Sequence, residues 1–192
     1  MLSITHLTEL TFENFIIPGH YGYVSNGIYK VKKFSDRESI SFNFKSEKTD
    51  FPYVKTWKLT DENINHCKKI IAEGFSFGAY EDNELAGFIL CETRKWNNTL
   101  YIENLFVSES FRRKGIGKLL IKKVIELSRQ KNFRHLELET QNTNVPAIEF
   151  YKKQGFEITG MNMTLYDPLE NKVEVALFMV YDLIQKHSQI QK

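Results

Sequence analysis

The chain has 192 residues, of which 42% are hydrophobic and 26% charged, the composition of a soluble globular protein with one sizeable core. A formal net charge of +2 creates no broad field for a polyanion, and no apolar stretch is long enough to cross a bilayer. We therefore expect neither a nucleic-acid partner nor membrane association. The first residues lack a secretory signal, which predicts a cytoplasmic protein. Cys67 and Cys91 fit no metal-ligand spacing, so we expect buried free thiols and no metal site.

The first half of the chain is predicted to be rich in β-strands. Residues 27–33 and 39–44 alternate apolar and polar side chains, which predicts an early hairpin. Thr60 is placed to cap a helix that Gly74 would end. Three further strand-like runs, separated by polar turns, predict an antiparallel meander. These runs cover residues 76–80, 85–92 and 99–107.

The second half alternates strands and helices. An apolar stripe predicts a helix over 116–129, and Asn144 is placed to cap a shorter helix that Gly155 ends. Strands are predicted over residues 134–140, 156–161 and 174–183. This order of elements predicts a mixed α+β fold around one central sheet, in a single domain over 1–192.

A segment rich in glycine and cations joins strand 99–107 to the first of these helices. It consists of Arg112, Arg113, Lys114, Gly115, Ile116, Gly117 and Lys118. Glycines allow successive backbone N–H groups to point into one concavity, and a helix N-terminus adds partial positive charge there. The segment predicts a diphosphate site, although solvated basic residues at an ordinary helix start would give the same string. Its spacing matches neither the P-loop nor the dinucleotide fingerprint, which disfavours nucleoside triphosphates and NAD.

A second motif lies on the shorter helix. Ala147, Phe150 and Tyr151 share a face there, with Asn144 at the N-terminus. A small residue allows a cofactor chain to approach closely, and the tyrosine offers a hydroxyl at the far end. The alternative interpretation of the Phe-Tyr pair is core packing.

Together, the patterns R-x-x-G-x-G and N-x-x-A-x-x-F-Y-x-x-x-G-F resemble the GNAT superfamily of acetyl-CoA-dependent acetyltransferases, over residues 78–183. The resemblance implies a mixed, mostly antiparallel, twisted sheet with helices on both faces, and acetyl-CoA (CoA) as the cofactor. It implies that residues 112–118 hold the pyrophosphate. It also implies that the strand edge at Leu105, Phe106 and Val107 pairs with the pantetheine arm, and that Asn144, Ala147 and Tyr151 line the arm and the thioester.

Several segments look like the streptothricin acetyltransferases, which acetylate an amine of an antibiotic's β-lysyl side chain. They are residues 94–97, 101–104, 138–141, 164–166 and 170–171. The resemblance implies a small-molecule amine substrate and a role in antibiotic resistance. Two features depart from that family. Asn104 stands where the family usually has aspartate, and residues 55–69, acidic in some members, mix acids with lysines. A polycationic substrate would gain less attraction here.

Direct acetyl transfer needs a base for the amine and a proton donor for the departing thiol. Glu103 is the candidate base, acting through water, and a surface or structural carboxylate is the alternative. Strict alternation would place Glu103 on one strand face with Tyr101, opposite Asn104 and Phe106. Tyr151 is the candidate acid by the resemblance, and a backbone N–H near Phe106 or Val107 would polarise the thioester carbonyl.

Three functions from different classes stay open. They are a small-molecule amine N-acetyltransferase, a protein or peptide N-acetyltransferase with an open groove, and a non-catalytic CoA-binding module. Residues 1–56 are the variable part and are expected, with the turn at Trp96, to shape the acceptor pocket. His66 and His135 lack a partner at ligand spacing, which favours solvated surface positions. A homodimer is possible, since GNAT relatives often dimerise.

Overall fold

The computed structural model describes residues 1–11, 13–16, 21–169 and 173–184. Its elements in chain order are β1 (Leu2–His6), α1 (Glu13–Ile16), β2 (Gly22–Ser35), β3 (Ile40–Thr56), α2 (Asp61–Ala72), β4 (Phe77–Glu81), β5 (Glu84–Arg94), β6 (Thr99–Val107), α3 (Ile116–Gln130), β7 (His135–Gln141), α4 (Val145–Lys153), β8 (Glu157–Asn162) and β9 (Ala176–Asp182). Short 3₁₀ turns cover Lys95–Asn97 and Glu109–Phe111.

The chain divides into two compact units. The first comprises residues 1–21, 57–138 and the stretch from 180 on, and the second comprises 22–56 and 139–179. The predicted single domain over 1–192 stays a prediction. None of the helices in the described part of the chain is both long and apolar enough to span a bilayer.

In the first unit, β1, β4, β5, β6 and the first part of β7 are hydrogen-bonded neighbours in that order. β4, β5 and β6 form the predicted antiparallel meander, and β1 adds to the free side of β4. β6 and β7 are parallel, as a connection through a helix requires. The sheet is therefore mixed and mostly antiparallel, as predicted.

Helices pack on both faces of this part of the sheet. The Thr60 hydroxyl accepts from the Asn63 backbone N–H and completes a capping box at the start of α2. The apolar side of α2 packs against alternating residues of β5 and β6. This cluster includes Ile64, Cys67, Ile70, Ile71, Phe88, Leu90 and Phe106. On the opposite face, Lys123 of α3 lies over the ring of Phe77, 5.7 Å from its centroid.

The second unit contains a long hairpin made by β2 and β3. Its register runs from Gly22↔Thr56 to Ser35↔Ile40, which confirms the predicted hairpin and extends it in both directions. Tyr29 of β2 donates its backbone N–H to Asn142 and its hydroxyl to Glu149 of α4. The hairpin is therefore fixed against α4.

A buried carboxylate also fixes the hairpin within this unit. Glu174, whose side chain is fully buried, accepts from Tyr53 Oη at 2.8 Å and from Lys55 Nζ at 2.9 Å. Tyr23 Oη shares a 2.6 Å hydrogen bond with Thr143 beside it. Burial, reinforced by the bond to Glu174, raises the pKa of Tyr53 to about 12. Because a buried carboxylate needs such partners, this network selects one arrangement of the strands.

Candidate functional site

β6 pairs antiparallel with β5 on one side and parallel with β7 on the other. Within the first unit, the parallel pairs run from Thr99↔His135 to Ile102↔Leu138. The predicted strand edge at residues 105–107 lies in the second half of β6, which pairs with β5 as far as Val107. An extended ligand chain can add to such an edge through backbone hydrogen bonds.

A β-bulge interrupts β6 between Ile102 and Asn104. β5 and β6 pair at Cys91↔Ile102 and next at Leu90↔Asn104, so Glu103 is an extra residue on β6. A bulge re-aims a side chain and strengthens the local twist. The bulge therefore turns Glu103 out of the regular ladder.

The bulge contradicts the predicted distribution of side chains on β6. Tyr101, Asn104 and Phe106 point to one face, because their partners on β5 are spaced by two residues. Those partners are Glu92, Leu90 and Phe88. The prediction that Asn104 and Phe106 lie opposite Tyr101 is wrong, since strict alternation holds only where no residue is inserted.

Charged groups surround the Glu103 carboxylate. Its Oε1 atom lies 3.8 Å from Nε2 of His66 on α2, and 37% of its side chain is exposed. Burial, and secondly the negative charge of Glu92, raise the pKa of Glu103, while His66 and Arg94 oppose the shift. A carboxylate with a raised pKa is a stronger base than an ordinary one.

Asn104, which departs from the streptothricin acetyltransferase pattern, forms a hydrogen bond within the first unit. Its Nδ2 donates to Tyr21 Oη at 2.9 Å. The Tyr21 ring packs edge-on against Phe106 and lies 5.3 Å from Trp57. Burial raises the pKa of Tyr21. The Asn104 amide therefore binds the Tyr21 hydroxyl among the rings of Phe106 and Trp57. An aspartate at this position would have placed a negative charge there.

The loop before α3 carries the predicted diphosphate motif. Arg113 and Gly115 have left-handed backbone angles, with φ of +64° and +84°, and α3 begins directly afterwards at Ile116. Such alternation of backbone conformation curls successive N–H groups into an anion-binding concavity. Arg112 Nε donates to the Val107 carbonyl at 3.1 Å, which attaches the loop to the end of β6.

The loop's cations and glycines lie together, as predicted. Arg112, Arg113, Lys114, Gly115 and Lys118 are exposed, Gly117 is half-buried and Ile116 is buried. Lys114 Nζ approaches Glu81 at 3.5 Å and lies over the Phe111 ring. Since these contacts are at the surface, they cost little to exchange for a phosphate.

Gly115→Ala is expected to lower the free energy of unfolding by about 1–2 kcal/mol, because alanine strains a left-handed backbone. It should also weaken the binding of acetyl-CoA, because the strained loop no longer holds its N–H groups toward the pyrophosphate. Gly74 is a matched control, since it also has a left-handed φ, of +80°, and open space around the added Cβ. Gly74→Ala should destabilise the protein similarly while leaving the affinity unchanged. Calorimetric titration and urea unfolding of both variants measure this, and equal affinities would contradict the role of the loop.

The second unit contains the other predicted motif. Asn144 Oδ1 accepts from the Ala147 N–H at 3.2 Å, which confirms the predicted helix cap, and Gly155 ends the helix with φ of +90°. Tyr151 is buried, with its ring edge-on to Phe150 and to Phe156. Ala147 and Phe150 are half-buried on the same helix. Ile148 is the fully buried core residue of α4 that the motif did not indicate.

A family model described as the Acetyltransferase (GNAT) family matches residues 40–156, more than half of the chain. The chain belongs to the GNAT family of acetyltransferases. Membership confirms the predicted family, which uses acetyl-CoA as its acetyl donor. The roles assigned to individual side chains stay predictions.

Two of this GNAT protein's relatives are streptothricin acetyltransferases. The Streptomyces lavendulae enzyme is 38% identical over 98 residues, which are 51% of this chain and 52% of that one. Streptothricin acetyltransferase A of Bacillus subtilis is 30% identical over 144 residues, 75% of this chain and 82% of that one. The chain therefore spans about half the length of the first relative and about four fifths of the second.

A solved structure from Bacillus anthracis, assigned as a streptothricin acetyltransferase and bound to acetyl coenzyme A, superimposes with a TM-score of 0.69 at 26% identity. The match covers 95% of this chain and 99% of that one, and it confirms the predicted GNAT fold.

Sequence reasoning missed two residues beside the predicted base. His66 is exposed, as expected, but its approach to Glu103 was not predicted, and Tyr21 lies in a stretch with no readable pattern. The position of His66 on the polar side of α2 could be inferred from the sequence. That this side chain approaches Glu103 depends on how α2 packs against β6. Trp96, in the turn expected to shape the acceptor pocket, is 86% exposed. The resemblance at residues 170–171 lies outside the described residues.

Proposed function

We propose that this GNAT protein transfers the acetyl group of acetyl-CoA to an amine of a streptothricin-type antibiotic and so confers resistance. The observation that carries the proposal is the extent of the similarity to streptothricin acetyltransferases, which includes the variable N-terminal part and reaches 95% of the chain. Members of one fold family share the cofactor-binding core and differ in the residues that bind the acceptor. Similarity over nearly the whole chain therefore supports a similar acceptor, and not only a similar cofactor site.

On the donor side, residues 112–118 would hold the pyrophosphate with backbone N–H groups and exposed cations. The strand edge at residues 105–107 would pair with the pantetheine arm through backbone hydrogen bonds. In the second unit, Asn144, Ala147 and Tyr151 would line the arm and the thioester. Acetyl-CoA supplies an acetyl group activated as a thioester.

On the acceptor side, the chain must first deprotonate the amine. An alkyl ammonium has a pKa near ~10.4, so at neutral pH a base has to remove its proton before it can attack. Glu103 is the proposed base, acting through water, because burial and Glu92 raise its pKa. Tyr151 Oη would donate a proton to the departing sulfur. A backbone N–H near Phe106 would polarise the thioester carbonyl.

An assay of thiol release tests the proposed acceptor. With acetyl-CoA present, streptothricin should be turned over, while peptides with free N-termini or lysines should not. Expression in a sensitive host should raise the streptothricin concentration that stops growth. Turnover of peptides alone would replace the proposal by a peptide N-acetyltransferase. Thermal stabilisation by acetyl-CoA without turnover of any acceptor would favour a non-catalytic module.

We also infer a cytoplasmic location. Cys67 and Cys91 are free thiols, as expected in a reducing compartment. A homodimer stays a prediction, to be tested by light scattering.

A further inference from the structure

Helix α2 places the imidazole of His66 beside the proposed base. Its Nε2 lies 3.8 Å from Glu103 Oε1, and the two side chains are 53% and 37% exposed. At that separation the pair forms an ion pair only when the imidazole is protonated. Both side chains are in contact with solvent.

The position of His66 is fixed by the packing of its helix. Thr60 caps α2, and Ile64 and Cys67 on either side of His66 are buried in the cluster against β5 and β6. Cys67 lies close enough to Glu103 for the carboxylate charge to raise the thiol's pKa, second to burial. The buried neighbours therefore hold the imidazole at the rim of the cluster, beside the bulge.

Titratable and charged groups face Glu103 from several elements. They are Glu92 and Arg94 of β5, His66 and Cys67 of α2, and Tyr21 before β2. Arg94 is also committed to the ring of Tyr101, 3.5 Å from its centroid. Histidine is the residue type that ordinarily gains its charge between pH 5 and 8.

We propose that His66 is a positioning residue that tunes Glu103, an inference that rests on the proposed function. When protonated, the imidazole holds the Glu103 carboxylate and stabilises its ionised form, so the base stays available as the pH falls. When neutral, it leaves the carboxylate with only Arg94 to oppose Glu92 and burial, and Glu103 is then the stronger base. The acid limb of the pH–rate profile is thereby extended to lower pH.

Steady-state kinetics of three variants between pH 5.5 and 8.5 test the proposal, with streptothricin as the acceptor. In His66→Gln, kcat/KM should be about two- to fivefold lower than in the wild type at pH 6, a loss of the size expected for an exposed ion pair. At pH 8 the two values should be equal. His66→Lys, with a permanent charge, should keep the acid limb at least as low in pH as in the wild type, and below that of His66→Gln. His135→Gln is the matched control, since His135 is paired instead with Asp182 at 3.9 Å, and its profile should equal the wild type's.

The proposal would be overturned if the acid limbs of the pH–rate profiles coincided in wild type, His66→Gln and His66→Lys while Glu103→Gln had a lowered kcat/KM. If Glu103→Gln is itself fully active, the assignment of the base fails, and the inference about His66 falls with it. Thermal unfolding of each variant confirms that it is folded. The two failures are therefore distinguishable.

Discussion

Tyr151→Phe is expected to lower kcat by about 100-fold while leaving the affinity for acetyl-CoA unchanged, because general-acid catalysis contributes a factor of this order. Phenylalanine keeps the edge-on ring contacts with Phe150 and Phe156, whose centroids lie 5.3 Å and 5.5 Å from that of Tyr151. The variant should therefore fold normally and lose only the hydroxyl. Steady-state kinetics and calorimetric titration with acetyl-CoA measure the two effects.

Tyr181→Phe is the matched control for this loss. Tyr181 is also a buried tyrosine, and its hydroxyl accepts from Arg129 at 3.2 Å, in a contact that the proposed chemistry does not use. Its kcat should equal that of the wild type. An unchanged kcat in Tyr151→Phe would leave the packing interpretation of that side chain in place, whereas a weaker affinity for acetyl-CoA with unchanged kcat would assign it to cofactor binding.

Glu103→Gln is expected to lower kcat/KM by about 100-fold at neutral pH, since glutamine keeps the shape of the side chain but cannot accept the amine proton. In the wild type, kcat/KM should fall as the pH falls through the raised pKa of Glu103, because the active form is the carboxylate. That limb should be missing from the residual activity of the variant. Glu84→Gln, at an exposed position of β5, is the control and should retain the wild-type profile.

The same raised pKa predicts the effect of Glu103→Gln on stability. Between the ordinary pKa of glutamate and the raised value, the folded state binds more protons than the unfolded state, so this carboxyl lowers the stability as the pH rises through that window. Above the window the penalty is fully present, and glutamine removes it. The variant's unfolding temperature at pH 8 should be no lower than that of the wild type. A marked loss of stability would instead indicate a structural carboxylate.

Most elements could be predicted because their signals are local. Thr60 and Asn144 cap α2 and α4 through bonds to residues three positions ahead, and Gly74 and Gly155 end these helices with positive φ. Strand β1 was not predicted, because it is stabilised by pairing with β4, more than seventy residues away. The full length of the β2–β3 hairpin likewise depends on contacts with α4 and on the buried Glu174.

The sequence by itself determined the family and the α+β fold and predicted the donor site, since the motifs that carry them are contiguous and act largely through the backbone. Tertiary structure alone decided which side chains surround the proposed base. The bulge at Glu103 depends on how β6 pairs with β5, and it reverses the faces that alternation predicts. The approach of His66 to Glu103 and of Tyr21 to Asn104 depends on the docking of α2 and of the segment before β2. Such contacts join distant residues, and no spacing in one sequence records them.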